Sequence, residues 1–261
     1  MTWLRVRTAV LLAVLAAAVT LVAADLPWVG KWKIDVAKSN FGESTVTYAD
    51  VGAGEMQTTA DGMTMKFKMD GKDYPDPWGG TSAWKKIDAS SWETVNKLKD
   101  KVVSTDVRRL SADGKTLTIQ SKGTRPDGKP FEDEYVYARE SGGPGLPGKW
   151  KTSKVSISAP SVVDISAHET DGLAVRVEDW GMSFSAKFDG KDNPVKGPTV
   201  PDGYTTALTK TGPRSLGYVD KHNGKEVYKG TWIVSDDGKT ITIVGTAVAT
   251  NEKTTAVYDR Q

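Results

Sequence analysis

Val136-Tyr137-Ala138-Arg139-Glu140-Ser141-Gly142-Gly143-Pro144-Gly145-Leu146-Pro147-Gly148-Lys149-Trp150 is the stretch on which the fold of this chain turns. Its left half recurs at the C-terminus as Val257-Tyr258-Asp259-Arg260-Gln261. Its right half, Gly148-Lys149-Trp150, recurs as Gly30-Lys31-Trp32. One unit therefore ends near Arg139, a Gly/Pro-rich segment follows, and a second unit begins. Two further pairs fill in the repeat. Met69-Asp70-Gly71-Lys72-Asp73-Tyr74-Pro75 matches Phe188-Asp189-Gly190-Lys191-Asp192-Asn193-Pro194, and Leu110-Ser111-Ala112-Asp113-Gly114-Lys115 matches Val234-Ser235-Asp236-Asp237-Gly238-Lys239. The period is far longer than the roughly 20–50 residues of solenoid or propeller units. Each copy is read as a domain, 25–140 and 148–261, with 141–147 as a linker.

Both units are expected to be all-β. Met63, Met65, Phe67 and Met69 alternate with Thr64, Lys66 and Lys68, and Met182, Phe184, Ala186 and Phe188 repeat the alternation. Period two with one apolar face is the pattern of a half-buried antiparallel strand. Asp-Gly and Asn-Gly pairs, such as Asp61-Gly62, Asp113-Gly114, Asn223-Gly224 and Asp237-Gly238, suit hairpin turns that need positive φ. A short strand plus a turn takes about 11 residues, which gives roughly 8–10 strands per unit. The mature chain shows no long helical pattern; 88–100 has room for a short turn at most. Sequential hairpins of this number suggest closure into an antiparallel up-and-down barrel, which removes edge strands. A tandem β-sandwich is the alternative.

Gly30-Lys31-Trp32 and Gly148-Lys149-Trp150 resemble the Gly-x-Trp that opens the first strand in the calycin superfamily, the lipocalin-like barrels. In that superfamily the Trp packs at the closed end against an Arg of the last strand. Arg139 and Arg260, in matched Val-Tyr-x-Arg endings, stand where that Arg belongs. The resemblance thus implies two barrels, each closed by its own opening Trp and final Arg, Trp32 with Arg139 and Trp150 with Arg260. Such a stack contributes about 0.5–2 kcal/mol beyond burial. The chain lacks the disulfide and the Thr-Asp-Tyr motif of typical lipocalins, so the wider barrel class is what the resemblance supports.

Residues 1–24 read as a secretory signal peptide: Arg5 and Arg7, an apolar run over 8–22, then small residues at Val22-Ala23-Ala24. The run is short for a span of about 20 residues, so no stable membrane anchor is expected after cleavage. Zero cysteines exclude a lipid-anchored lipoprotein and mean export without disulfides, which fits a secreted or periplasmic bacterial protein. The chain carries 35 basic and 33 acidic residues; without Arg5 and Arg7 the signs balance at 33 each. With both signs interspersed, no basic stripe forms and no nucleic-acid partner is expected.

No catalytic, metal or cofactor constellation is read. The two histidines, His168 and His222, are too sparse for zinc, and His222 beside Asn223-Gly224 is expected to be solvated. The Asp-Gly-Lys turns lack the spaced acids of a calcium loop. Ser82-x-x-Lys85 fits a nucleophile motif in letters only, since an offset of three on a strand puts the two on opposite faces. Gly143-Pro144-Gly145-Leu146-Pro147-Gly148 lacks both amide donors and a βαβ setting for a dinucleotide. Glu132 and Glu134 share a strand face, expected to be a solvated one.

The aromatics carry the remaining information. Of nine Trp, eight lie beyond the leader. Trp32 and Trp150 are assigned to closure. Met65, Phe67, Trp84, Trp92, Phe184 and Trp232 are the candidate ligand-lining residues, because a barrel of this size is either filled by side chains or holds one small ligand. Both alternatives stay open at the level of sequence. The Pro/Gly-rich segments 75–80, with an exposed Trp78, and 194–203 are expected to cap the mouths. The calycin resemblance implies an exported binding protein for a small apolar or amphipathic ligand. Filled barrels serving as a structural or protein-interaction module, and a lipocalin-fold isomerase or hydrolase acting on hydrophobic metabolites, are the alternatives.

Overall fold

The computed structural model describes residues 26–41, 44–158 and 161–261; the leader assigned to 1–24 lies outside them. The first repeat supplies β1 (Gly30–Asn40), β2 (Thr45–Gly52), β3 (Glu55–Ala60), β4 (Met63–Lys68), β5 (Asp70–Pro75), β6 (Thr81–Lys86), β7 (Ser91–Leu98), β8 (Lys101–Leu110), β9 (Thr116–Thr124) and β10 (Pro130–Ser141). The second supplies β11 (Gly148–Ser156), β12 (Val162–His168), β13 (Gly172–Val177), β14 (Met182–Lys187), β15 (Asn193–Pro194), β16 (Tyr204–Gly212), β17 (Ser215–His222), β18 (Lys225–Val234), β19 (Thr240–Ala247) and β20 (Lys253–Arg260). A single-turn 3₁₀ helix at Glu178–Trp180 is the only helical element among the described residues. The stretch 88–100 holds strand β7, not a helical turn. Asp61-Gly62 and Asn223-Gly224 take positive φ at both positions, as tight hairpins require.

The strands form two antiparallel, nearly closed ten-stranded sheets, and the sheets do not follow the repeat boundary. One runs β4-β3-β2-β11-β10-β9-β8-β7-β6-β5, the other β14-β13-β12-β1-β20-β19-β18-β17-β16-β15. The opening strands have changed places. β11 pairs with β10 and β2, and β1 pairs with β20 and β12. Barrel 1 is thus the continuous segment from β2 to β11. Barrel 2 is split, with barrel 1 inserted between its first strand, β1, and β12. Residues 141–147, expected as a linker between domains, form the β10–β11 hairpin inside barrel 1. At its far edge barrel 2 closes through a bridge between Ser183 and Lys196, with mutual backbone bonds of 2.8 and 2.9 Å. In barrel 1 the two edge strands, β4 and β5, are consecutive and joined by Met69.

The closing pairs follow the same exchange. Trp150 meets Arg139, whose guanidinium carbon lies 3.9 Å from the indole centroid, and Trp32 meets Arg260 at 4.1 Å. The expected pairs, Trp32 with Arg139 and Trp150 with Arg260, do not form. The reason is local. Residues 142–147 are short enough to fold β11 back onto β10, and a short loop closes at less entropy than a distant one. β11 therefore fills the place of the first strand in barrel 1, and β1 is left to complete barrel 2.

Each clasp is built from one Arg, one Trp and one Gly. Arg139 donates to Gly114 O at 2.6 Å, Gly143 O at 2.8 Å, Pro147 O at 2.8 Å and Gly145 O at 2.6 Å. Arg260 repeats this with Gly238 O at 2.7 Å, Val29 O at 2.8 Å and Pro27 O at 2.9 Å. Under each guanidinium the indole N–H donates backward, Trp150 to Leu146 O at 3.0 Å and Trp32 to Trp28 O at 2.8 Å. The glycine of Gly-x-Trp lies at φ +146 for Gly148 and +142 for Gly30, and a Cβ there would stand 2.8 Å from Arg139 Nη1 and 2.6 Å from Arg260 Nη1. Trp32 and Trp150 are buried, and each anchors a packed floor. Trp28, Leu173, Leu208, Leu216 and Ile241 share one buried core cluster with Trp32, and Leu117, Leu146, Phe67 and Trp92 share another with Trp150.

Two outcomes test this arrangement. The chain has no native cysteine, and Lys33 sits opposite Asp259, whereas Ala138 sits opposite Lys151. Lys33→Cys with Asp259→Cys should oxidise to a disulfide, while Lys33→Cys with Ala138→Cys should keep two free thiols in a thiol assay. Gly148→Ala should lower stability by about 1–3 kcal/mol in urea unfolding, because it strains both the backbone and the seat of Arg139.

Candidate functional site

Above each packed floor the barrel is hollow. In barrel 1 a cavity of about 460 Å³ is bounded by Tyr48, Met63, Met65, Trp84, Ile119 and Tyr137, with Ser82, Asn96 and Arg108 among its polar groups. In barrel 2 a cavity of about 340 Å³ is bounded by Met182, Phe184, Tyr218, Trp232 and Ile243, with Tyr204, Thr206 and Asp220 as polar groups. Pro201 borders both, so the two cavities lie close to the joint between the barrels. Of the six residues marked as candidate lining, Met65, Trp84, Phe184 and Trp232 stand on cavity walls. Phe67 and Trp92 belong to the floor of barrel 1, where Phe67 stacks on Trp84 at 4.2 Å.

The strand ladders make the two interiors directly comparable. Ser82 pairs with Asn96 and Trp92 with Arg108 in barrel 1; Thr206 pairs with Asp220 and Leu216 with Trp232 at the same places in barrel 2. The floor keeps its apolar character in both copies, but the layer above it has diverged. Barrel 1 places a buried ion pair there. Arg108 donates to Thr94 Oγ1 at 2.7 Å and to Tyr48 Oη at 3.2 Å, lies 3.5 Å from Asp106, and spreads over Trp84 at 4.3 Å. Asp106 in turn accepts from Asn96 at 2.8 Å, Ser121 at 2.7 Å and Ser104 at 3.1 Å. Each charge in this network has its counter-charge and its hydrogen bonds, as a buried pair requires.

Barrel 2 has no such compensation. Trp232 occupies the place of Arg108 and Gly230 that of Asp106, while Asp220 occupies the place of Asn96. Gly230 pairs with Gly245, and Tyr218 lies over this bare patch: its ring is 2.9 Å from a Cβ built at Gly230, and its hydroxyl 2.7 Å from one built at Gly245. Asp220 accepts from the Tyr204 hydroxyl at 3.3 Å. Burial pushes its carboxyl above the ordinary value, against the opposing hydrogen bonds from Thr206 and Tyr204. Burial also holds the phenols neutral. Tyr218 is pushed up to about 12, and Tyr204 and Tyr228 are raised for the same first cause.

The joint between the barrels accounts for two other residues. Trp78, expected to be exposed, is half-buried because its ring stacks on His222 at 5.5 Å and tilts toward Tyr204 at 6.4 Å. His222 is accordingly packed against an indole and not freely solvated. Arg125 reaches Asp179 at 2.9 Å, Lys99 reaches Asp202 at 2.9 Å, and Tyr228 donates to Asp61 at 3.2 Å. Ser82 faces inward and Lys85 outward, as the strand offset requires. Glu132 and Glu134 pair on the outside with Lys122 and Lys154. Among the described residues no group of three or more His, Asp or Glu gathers as a metal site, and no helix is long and apolar enough to cross a membrane.

Arg108, Asp106 and Asp220 were not singled out from the sequence. Asp106-Val107-Arg108 reads as polar-apolar-polar, which on a half-buried strand normally puts the charges outside. Leu216-Tyr218-Asp220 was the better clue, since it keeps Asp220 in phase with the apolar face of β17. No family model matches the chain, and neither a curated protein nor a solved structure matches it.

The raised carboxyl gives a pH test. Folded Asp220 holds its proton more tightly than the unfolded chain does, so its contribution is favourable below 3.8 and is lost as pH rises through the raised value. The neighbouring Tyr204, Tyr218 and Tyr228 stay neutral across this range. Asp220→Asn should therefore be stabilised relative to the parent at neutral pH, with the difference shrinking toward acid, in urea unfolding followed at several pH values.

Proposed function

We propose that this is an exported protein of the wider calycin class that holds a small amphipathic molecule in a barrel interior. The observation that carries the reading is the pair of cavities, each set above a tightly packed aromatic floor. Their volumes fall in the range of small-molecule sites, roughly 300–1,000 Å³. Their walls combine large apolar surface with a few convergent polar groups, which is the usual composition of a site that fixes ligand orientation. The clasp of Trp32 with Arg260 and of Trp150 with Arg139 supports the calycin class. The leader read at 1–24 supports export to the periplasm or exterior.

The voids favour this reading over filled barrels that act only as an interaction module. An isomerase or hydrolase would draw on Tyr48, Asp106 and Arg108, but those groups are already committed to one another and to Thr94, Asn96 and Ser121.

Protein purified from its native host should yield an extractable small molecule by mass spectrometry, and re-addition of that molecule should quench Trp fluorescence. Ala60→Trp adds an indole to the wall of the barrel 1 cavity and Val195→Trp adds one to that of barrel 2. Obstructing the functional cavity in this way should weaken binding by more than about tenfold, since loss of the apolar contacts costs at least about 1.4 kcal/mol. Empty protein and flat titrations against lipids and amphipaths would remove the proposal.

A further inference from the structure

We propose that the barrel 2 cavity takes an amphipathic organic cation, with its ammonium group against the Asp220 carboxylate and its body between Phe184, Tyr218 and Trp232. This rests on the reading of the barrels as lumenal binding sites and names the ligand class of one of them.

Three observations converge on it. The cavity wall contains a carboxylate and no Lys, Arg or His. Lys221, the next residue, faces away and pairs with Asp192 at 3.0 Å. His222, two residues on, is stacked on Trp78 and hydrogen-bonded with the Asn223 amide at 3.2 Å, not with Asp220. Among the described residues, Asp220 is hydrogen-bonded by the neutral hydroxyls of Tyr204 and Thr206. A half-buried carboxylate held by two hydroxyls and no cation is under-compensated, and an ammonium ion supplies what is missing.

The second observation is the contrast with barrel 1. There the protein carries its own cation, the Arg108 guanidinium, paired with Asp106 and laid on the Trp84 ring at 4.3 Å. At the equivalent ladder position barrel 2 has Trp232, which removes the cation and adds a further ring. The carboxylate has shifted one strand over, to Asp220, and has been kept. The third observation is the wall itself. Phe184, Tyr204, Tyr218 and Trp232 surround the space with aromatic rings, whose faces attract a cation once water is displaced. An anionic ligand would meet the Asp220 carboxylate with no positive group to offset it.

The test compares decylamine, decanol and decanoate by calorimetric titration of the full mature chain, with Ala60→Trp as background so that barrel 1 is obstructed. Decylamine should bind about ten- to a hundredfold more tightly than decanol, the difference expected of a charge-assisted hydrogen bond, and decanoate most weakly. In Asp220→Asn the amine should lose that advantage while decanol binds as before. If decanol equals or exceeds decylamine in the parent protein, the cation proposal is overturned and lumenal binding stands. An amine preference that survives in folded Asp220→Asn overturns it as well, since the charge would then lie elsewhere. If none of the three binds, the lumenal reading fails and this inference with it. Should Asp220→Asn not fold, the amine-to-alcohol ratio in the parent decides.

Discussion

A guanidinium laid flat on an indole, with its N–H groups driven into a ring of backbone carbonyls, holds each barrel of this protein shut. The contact is worth more than its cation–π term of about 0.5–2 kcal/mol. Arg139 satisfies four carbonyls and Arg260 three, in loops that no ladder reaches. Those loops carry Leu146 and Trp28, the plugs that seal the floor beneath each cavity. Without the arginine, orphaned carbonyls would face a half-buried end, at about 1–3 kcal/mol each if left unpaired. The glycine before each Trp is part of the same device, because the guanidinium occupies the space a side chain would take.

The clasp also explains how two copies of one unit became interlocked. The Gly-Lys-Trp strands are nearly interchangeable, so either can complete either barrel. What breaks the degeneracy is the hairpin over 142–147, which the Arg139 side chain itself organises. Once β11 has closed barrel 1, β1 is committed to β20 and β12. Barrel 1 then sits as an insertion in barrel 2, and the two are pinned further by the Arg125–Asp179 pair and the Trp78–His222 stack. The result ties the two barrels into one unit through two chain crossings without any disulfide.

Duplication with a shared floor leaves the layer above it free to change. In barrel 1 that layer became a closed polar network around Arg108 and Asp106, internally neutral. In barrel 2 the equivalent positions became aromatic, the backbone was stripped to Gly230 and Gly245 beneath Tyr218, and a single carboxylate remained. Floors conserve volume and apolarity because packing errors there destabilise the whole barrel. Walls above a void carry no such restriction.

The sequence alone determined the strand content, the turns and the twofold repeat. Period-two stripes such as Met63, Met65 and Phe67, and Asp-Gly hairpin pairs, are local signals whose physics acts between neighbours in the chain. It also placed Trp32, Trp150, Arg139 and Arg260 at the closing ends, and it marked Met65, Trp84, Phe184 and Trp232, which border the cavities. It did not single out Asp106, Arg108 or Asp220, because charges on an inward face run against the usual sense of the alternation. Only the tertiary structure decided which indole meets which guanidinium, since two near-identical strands carry no local label for their partner. Loop closure and the geometry of the β10–β11 hairpin made that choice, and with it set where each cavity lies.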